Sequence, residues 1–540
     1  MDARKPLARL SAMVGILPEY FDVRGRRHAT PAATRRALLT AMGIDVSTPE
    51  RIAAAIAERE LRPWRRALEP VAVVAARAPW VRLALPDARN REELEWHLTL
   101  EDGSEHRARF RPAELAPLET GQIDGTGYTA WQLELGSNIV PGYHRLAVAG
   151  ADGEFAAQTL IVAPGACYLP AAVADSGRIW GPAVQLYAVR SERNWGIGDF
   201  TDLRVLLDHW AGQGADIVGI NPVHALFPHN PEHASPYSAS SRLFLNVLYL
   251  DVEAIADFHE SDAARAMLRA PEFQMRLDGL RATDMVDYAG VAALKLPMLE
   301  MLYQHFREWH LGPGSERAKA FRAYQAREGE RLHRQALFEA LQEHFHNQDP
   351  AIWGWPAWPE PFRHPEAPEV RGFEAEMQGR IDFFAYLQWQ SDLQLGAVGW
   401  RSLELGLGVG LYLDLAVSVD GGGAEAWANQ EFYAIGAGVG APPDLFNQNG
   451  QDWGLPPFVP ERLREAGYAP FIATLRHSMQ HAGALRLDHV MGLMRQYWVP
   501  SGASPAQGAY VRYPFADLLG ILALESQRNR CMVVGEDLGT

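Results

Sequence analysis

Two short apolar runs late in the chain each deliver an acid. Ala484-Leu485-Arg486-Leu487 leads into Asp488 and His489, and Met532-Val533-Val534-Gly535 leads into Glu536 and Asp537. Runs of this length read as buried strands with a carboxylate emerging at the end. Two carboxyl groups held rigidly on opposite sides of one bond suit cleavage of a glycosidic bond, one attacking and the other moving the proton. For that use their oxygens must converge within about 5–6 Å across one pocket. Arg486 and Asp488 lie two apart on a strand and share a face. The guanidinium should keep Asp488 ionised and aimed, as a nucleophile must be. A plain structural Arg–Asp pair would look the same. Glu536, just past apolar residues, stands where a general acid would, and Gly535 before it permits close approach of backbone or ligand. Asp414 closes the run Leu411-Tyr412-Leu413 and could orient Arg486; a helix-capping role is the alternative.

Polar and aromatic platforms surround these strands. Gly440-Ala441-Pro442-Pro443-Asp444 and Gly450-Gln451-Asp452-Trp453-Gly454-Leu455-Pro456 read as one long Pro/Gly loop, with Asp444, Gln451 and Trp453 as its useful side chains. Ser235-Pro236-Tyr237-Ser238 offers a second platform through Ser235 and Tyr237. A rigid turn is the bland reading of both. Asn194-Trp195-Gly196-Ile197-Gly198-Asp199 lacks the third glycine of a dinucleotide loop and the lysine of a phosphate loop. His224, His229 and His233 are too loosely spaced for a helical metal pair, and neither Cys167 nor Cys531 sits in a Cys-x-x-Cys motif, so no metal or cofactor is expected.

The elements that must position these residues alternate strand and helix from about residue 170. Ala183 to Tyr187, Ile217 to Asn221, Leu411 to Leu415, Ala484 to Asp488 and Met532 to Glu536 read as buried parallel strands. A helix spans Leu203 to Trp210. Three of the strands end in an acid, as at the carboxyl face of a (β/α)8 barrel of the TIM type. A largely helical insertion fills about 255–400. Upstream, residues 1–65 read as helical, with Thr30 as an N-cap, Pro31 at the first helical position and Gly43 closing the helix. Residues 66–165 change to period two: Leu94, Trp96, Leu98 and Leu100 alternate, as do Trp131, Leu133 and Leu135, with Asp-Gly turns at 102–103 and 152–153. That pattern predicts a β-sandwich ending at Pro164-Gly165. The expected domains are therefore 1–65, 66–165 and 166–540.

The chain has 540 residues, 48% apolar and 21% charged, with a net charge of −16 from 50 basic and 66 acidic side chains. This balance argues against a nucleic-acid or anionic-membrane partner. Leu10 to Leu17 is too short to span a bilayer and reads as a buried helix, not a signal peptide. Two cysteines in unrelated contexts fit a reducing, cytoplasmic setting. Sixteen tryptophans and seventeen tyrosines mostly fill cores, but pyranose rings also pack on such planes.

Taken together, the motifs resemble the amylomaltases, bacterial 4-α-glucanotransferases (disproportionating enzymes) of the α-amylase clan. The resemblance covers about 165–540, and the first 165 residues look like the N-terminal extension of the longer bacterial members. It is carried by Asn194 to Asp199, Ser235 to Ser238, Val286-Asp287-Tyr288, Gly440 to Asp444, Gly450 to Gly454, Arg486 to His489 and Gly535 to Gly539, seven motifs in order. It implies that Asp488 is the nucleophile and Glu536 the acid/base. Arg486 would hold Asp488, Asp414 would hold Arg486, and His489 would contact the sugar at the cleavage point. Trp453, Tyr237, Ser235 and Asp537 would line the groove for maltooligosaccharides and linear α-1,4-glucans. No cofactor is implied. The family also carries a third aspartate in a His-Asp motif on a later strand, and no such pair follows Glu536. With five strands where closure needs eight, the expectation is an N-terminal piece of a longer protein, poorly stable and nearly inactive alone. The competing readings are a non-catalytic α-glucan-binding protein and a retaining α-glucan hydrolase of the same clan. Oligomeric state is not legible.

Overall fold

The computed structural model describes residues 5–22, 24–137 and 139–538. The N-terminal segment holds α1 (Pro6–Met13), β1 (Glu19–Phe21), β2 (Arg27–Ala29), α2 (Ala32–Ala41) and α3 (Pro49–Arg65). A hairpin thus interrupts the region expected to be helical: β1 and β2 pair antiparallel, Tyr20 opposite His28. Three-residue strands carry no period to read. Thr30 is not the N-cap of α2. Pro31 takes that position without a side-chain bond, and the Thr30 hydroxyl donates to the Leu17 carbonyl at 2.7 Å, tying the hairpin to the segment before it. Gly43, at φ +79°, follows the end of α2 as expected.

Next come β3 (Val71–Ala75), β4 (Trp80–Pro86), β5 (Leu94–Thr99), β6 (Glu105–Phe110), β7 (Ala116–Ile123), β8 (Thr126–Glu134), β9 (Gly142–Gly150) and β10 (Gly153–Ala163). They form two sheets, ordered β3-β10-β9-β5-β6 and β4-β8-β7. The alternation read from the sequence buries one face of each: Leu94, Trp96 and Leu98 meet Leu83, Leu133, Leu146 and Leu160 in a core separate from that of the rest of the chain. This is the expected β-sandwich. The chain reverses between β9 and β10 with Gly153 at φ +103°.

The third region opens with β11 (Ala183–Val184), α4 (Phe200–Gly212), β12 (Ile217–Ile220), β13 (His224–Ala225) and β14 (Ser241–Leu245). Helices α5 (Ala256–Glu260), α6 (Asp262–Arg269), α7 (Pro271–Arg281), α8 (Tyr288–Phe306), α9 (Glu316–Glu328), α10 (Glu330–Gln348) and α11 (Pro368–Glu404) follow, with a π-helical turn at Arg307–Leu311 after α8 and a kink at Met377 within α11. Then come β15 (Gly410–Leu415), α12 (Ala424–Ala428), β16 (Ala437–Ala441), β17 (Gln451–Leu455), α13 (Pro460–Glu465), α14 (Ala469–Met479), β18 (Ala484–Leu487), β19 (Arg495–Pro500), β20 (Ala509–Arg512), α15 (Phe515–Asn529) and β21 (Met532–Gly535).

Among the described residues the parallel sheet has five strands, ordered β11-β12-β15-β18-β21. Its register places Asp414 beside Arg486 and Leu487 beside Gly535. Val218, Leu411, Leu413 and Leu485 are buried in it. The first strand is shorter than expected. Only Ala183 and Val184 pair, because the Leu186 N–H donates to Asn221 Oδ1 at 2.7 Å and the chain turns at Leu186–Ala188.

The Pro/Gly loop expected at 440–456 is instead part of a second sheet, antiparallel and ordered β17-β16-β19-β20. Glycine hid it. Ala437-Gly438-Val439-Gly440 has no alternation to detect, yet a Cβ on Gly440 would lie 2.0 Å from the Gln451 carbonyl oxygen. Glycine is what lets the two strands approach. No described helix is long and apolar enough to cross a membrane.

Candidate active site

The ladder of the parallel sheet runs one residue past its strands. Asp488 N–H donates to the Leu415 carbonyl (3.1 Å), and Glu536 N–H donates to the Leu487 carbonyl (3.0 Å). Both acids are therefore fixed by sheet hydrogen bonds before their side chains are considered. His489 then takes φ +49° and ψ +59°. A left-handed conformation costs a non-glycine residue about 1–2 kcal/mol. Here it lets the His489 N–H donate to Glu536 Oε2 at 2.8 Å, while the Val490 N–H donates to the Glu536 carbonyl at 3.1 Å.

A carboxylate oxygen of Asp488, one of Glu536 and a ring nitrogen of His489 all lie within 4.8 Å of one another. The two carboxyl groups thus converge, inside the span required from their sequence. Both are largely desolvated, with side-chain exposures of 13% for Asp488 and 10% for Glu536.

Behind Asp488 stands a relay of oriented groups. Arg486 Nη2 donates to Asp488 Oδ1 at 2.9 Å, and Nη1 donates to both oxygens of Asp414 at 2.7 and 2.8 Å. Tyr237 donates its hydroxyl to Asp414 Oδ2 at 2.8 Å. Asp414 therefore fixes Arg486, and Tyr237 fixes Asp414. Arg486 thus aims Asp488, but it is not the largest influence on that carboxyl. Burial raises the Asp488 carboxyl above the usual aspartate value despite the opposing charges of His489 and Arg486, and Glu536 adds to the rise. Arg486 spends two contacts on Asp414 and one on Asp488, too little to offset desolvation. Burial raises Asp414 as well, against Arg486 and Tyr237.

The platforms divide. Trp453 stacks on His489 with ring centroids 4.8 Å apart and planes at 30°, and its indole N–H donates to Gln451 Oε1 at 3.0 Å. Asp444 accepts from the Phe446 and Asn447 N–H groups at 2.8 and 2.6 Å, so its carboxylate shapes the loop while lining the groove. Ser235 is exposed and closes a turn to the Ser238 N–H, the bland reading; Asp537 is exposed past the end of β21. Two depressions meet at His489. One holds Pro442, Pro443, Asp444 and Trp453 and spans about 700 Å³ including the open space at its mouth; the other holds Leu415, Leu487 and Asp488. Phe21, Met491, Gln496 and Leu538 also line the first, and sequence reasoning did not find them. No local pattern marks them, because the groove is assembled from distant segments.

A second group of potential metal ligands, Asp257, Glu260, His305 and His310, also gathers within 4.8 Å. Arg317 bonds both of its carboxylates and already supplies positive charge there.

A sequence profile described as 4-alpha-glucanotransferase, glycoside hydrolase family 77, matches residues 184–540, and one described as MalQ N-terminal beta sandwich domain matches 67–164. A 4-alpha-glucanotransferase of Haemophilus influenzae is 42% identical over 402 residues, which are 74% of this chain and 57% of that protein. One of Mycobacterium tuberculosis is 37% identical over 543 residues, 99% of this chain and 72% of that protein. The chain therefore spans between about half and three quarters of the length of these relatives. The crystal structure of amylomaltase from Corynebacterium glutamicum superposes with a TM-score of 0.83 at 31% identity, covering 100% of this chain and 72% of that one. With profile, relatives and fold in agreement, the chain belongs to the 4-alpha-glucanotransferases of glycoside hydrolase family 77.

Proposed function

We propose that this chain carries the acid pair of a 4-α-glucanotransferase that moves α-1,4-glucan segments between maltooligosaccharides with retained configuration. Asp488 attacks the anomeric carbon, the bond from that carbon to the leaving 4-oxygen breaks, and Glu536 gives its proton to that oxygen. The glucosyl group is then held as an ester on Asp488. The 4-hydroxyl of an acceptor sugar next gives its proton to Glu536 and attacks the same carbon, and the ester bond to Asp488 breaks. One observation carries this reading: the Asp488 and Glu536 oxygens lie within 4.8 Å of each other. That separation suits direct attack by one carboxylate and leaves too little room for the water that an inverting pair must admit.

In this reading Arg486, Asp414 and Tyr237 position the nucleophile, and His489 and Trp453 bear on the sugar at the cleavage point. Asp444, Gln451, Ser235 and Asp537 contribute to the groove more remotely. The two free cysteines, Cys167 and Cys531, accord with a reducing, cytoplasmic setting. The test is incubation of the purified chain with maltotriose and separation of products by length. Glucose together with maltopentaose and longer chains supports transfer. Glucose and maltose alone would make the chain a hydrolase, and binding that persists in Asp488→Asn, without turnover even when the chain is extended by later strands, would make it a glucan-binding protein.

A further inference from the structure

We propose that the β1–β2 hairpin adds a glucan-binding platform, with Phe21 as its stacking surface, for sugar units lying beyond those held at the acid pair. The proposal rests on the transfer reading above and extends it to the more distant part of a linear α-1,4-glucan.

Side chains alternate along β1. Tyr20 points inward: it stacks on His28 with centroids 4.9 Å apart and meets Tyr497 and Tyr510 edge-on at 5.6 and 5.7 Å. Phe21, next in line, points outward and is 60% exposed. It lines the same groove as Trp453, His489, Pro443 and Leu538. The groove is therefore continuous from the ring beside Glu536 to the hairpin.

The hairpin is held firmly. Asp22 accepts from the Arg24 and Arg26 N–H groups, both at 2.9 Å, and its other oxygen meets His28 Nε2 at 3.1 Å. The preceding segment is laced to β20, with the Arg512 N–H on the Gly15 carbonyl at 2.9 Å and the Leu17 N–H on the Tyr510 carbonyl at 2.8 Å. Gly15 sits at φ +89°, where a Cβ would lie 2.8 Å from the Arg512 carbonyl oxygen, so the lacing depends on glycine. An exposed aromatic ring on a rigid support, facing a groove, gains nothing for the fold. It offers a plane to the apolar face of a pyranose, as Trp453 does nearer the acids. A chain of several glucose units is the occupant whose repeating apolar faces fit two separated aromatic planes in one groove.

The experiment compares maltotriose with maltoheptaose. KM is measured for transfer, and binding is measured by calorimetry on an Asp488→Asn background, each with and without Phe21→Ala. Phe21→Ala should weaken maltoheptaose binding about fivefold. The ratio of the maltoheptaose KM to the maltotriose KM should rise by the same factor. Phe21→Trp should restore both, and thermal melting of each variant confirms folding. Equal effects on the two sugars, or unchanged maltoheptaose binding, would overturn the platform while leaving the transfer reading intact. If the parent chain binds neither sugar, the transfer reading falls and takes the platform with it.

Discussion

Two clusters in this molecule are built from the same parts. Asp488, Glu536 and His489 gather at the ends of parallel strands; Asp257, Glu260, His305 and His310 gather between α5 and the end of α8. Each has an arginine at its side. The difference lies in what the arginine does. Arg317 bonds both Asp257 and Glu260, and Tyr386 donates to Asp257 at 2.7 Å, so every charge there is answered and Asp257 is fully buried. Arg486 reaches only Asp488 of its pair and divides itself with Asp414, while Glu536 receives a main-chain N–H. The first arrangement neutralises and locks. The second aims one carboxylate, holds the other by a main-chain N–H, and opens on a groove. Clustered acids and histidines thus do not by themselves make a site.

The sharpest way to break this contrast is to neutralise one acid in each cluster. Asp488→Asn should lower transfer at least about a thousandfold with little loss of stability, read by product formation and thermal melting. Asp257→Ala should do the reverse, costing about 2 kcal/mol of unfolding free energy by leaving the buried Tyr386 hydroxyl without its acceptor and Arg317 with Glu260 alone, with transfer per folded molecule nearly kept. A denaturant titration beside a single-concentration assay separates the two. Comparable activity losses in both variants would erase the distinction.

Arg486→Gln tests the divided arginine. It should lower kcat about a hundredfold through misplacement of Asp488, and it should move the acid limb of the rate profile to higher pH, because a cause that lowers the Asp488 pKa is gone. In the parent chain that limb should itself lie above the ordinary value of 3.8, since burial raises the carboxyl and the proposed nucleophile must be ionised. The smallest effect is on stability against pH. The folded chain holds the Asp488 proton more tightly than the unfolded chain does. Stability is therefore lost as pH rises from 3.8 through the raised value, and the ionised group is a burden above it. Asp488→Asn should melt a few degrees higher than the parent at neutral pH, with the gap closing as pH falls below 3.8. A gap that widens in acid would mean that the arginine outweighs burial after all.

The acid-bearing strand ends were legible because their signal is local: a run of three or four mostly apolar residues followed by a carboxylate. The Arg486 to Asp488 contact was legible for the same reason, through the two-residue period. Tyr237 was read as a groove residue, but its bond to Asp414 crosses 177 positions and no spacing reports it. The β16–β17 hairpin was missed because glycines erase alternation at the places where backbones come closest. Phe21 was invisible because, Asp22 apart, its partners in the groove lie about four hundred or more residues away. Burial also outweighs the arginine in setting the direction of the Asp488 pKa; the sequence names neighbours but does not say how much water they exclude.

The left-handed turn at His489 has an engineering consequence. The peptide N–H at this position hydrogen-bonds Glu536 at 2.8 Å while the imidazole Nδ1 stands 3.8 Å away, so replacing the ring keeps the shorter hold on the acid as long as the new residue accepts a positive φ. Asparagine and glycine accept it cheaply, and β-branched residues do not. Libraries that vary sugar contacts at position 489 should therefore be drawn from the few side chains this backbone tolerates, with valine, isoleucine and threonine left out.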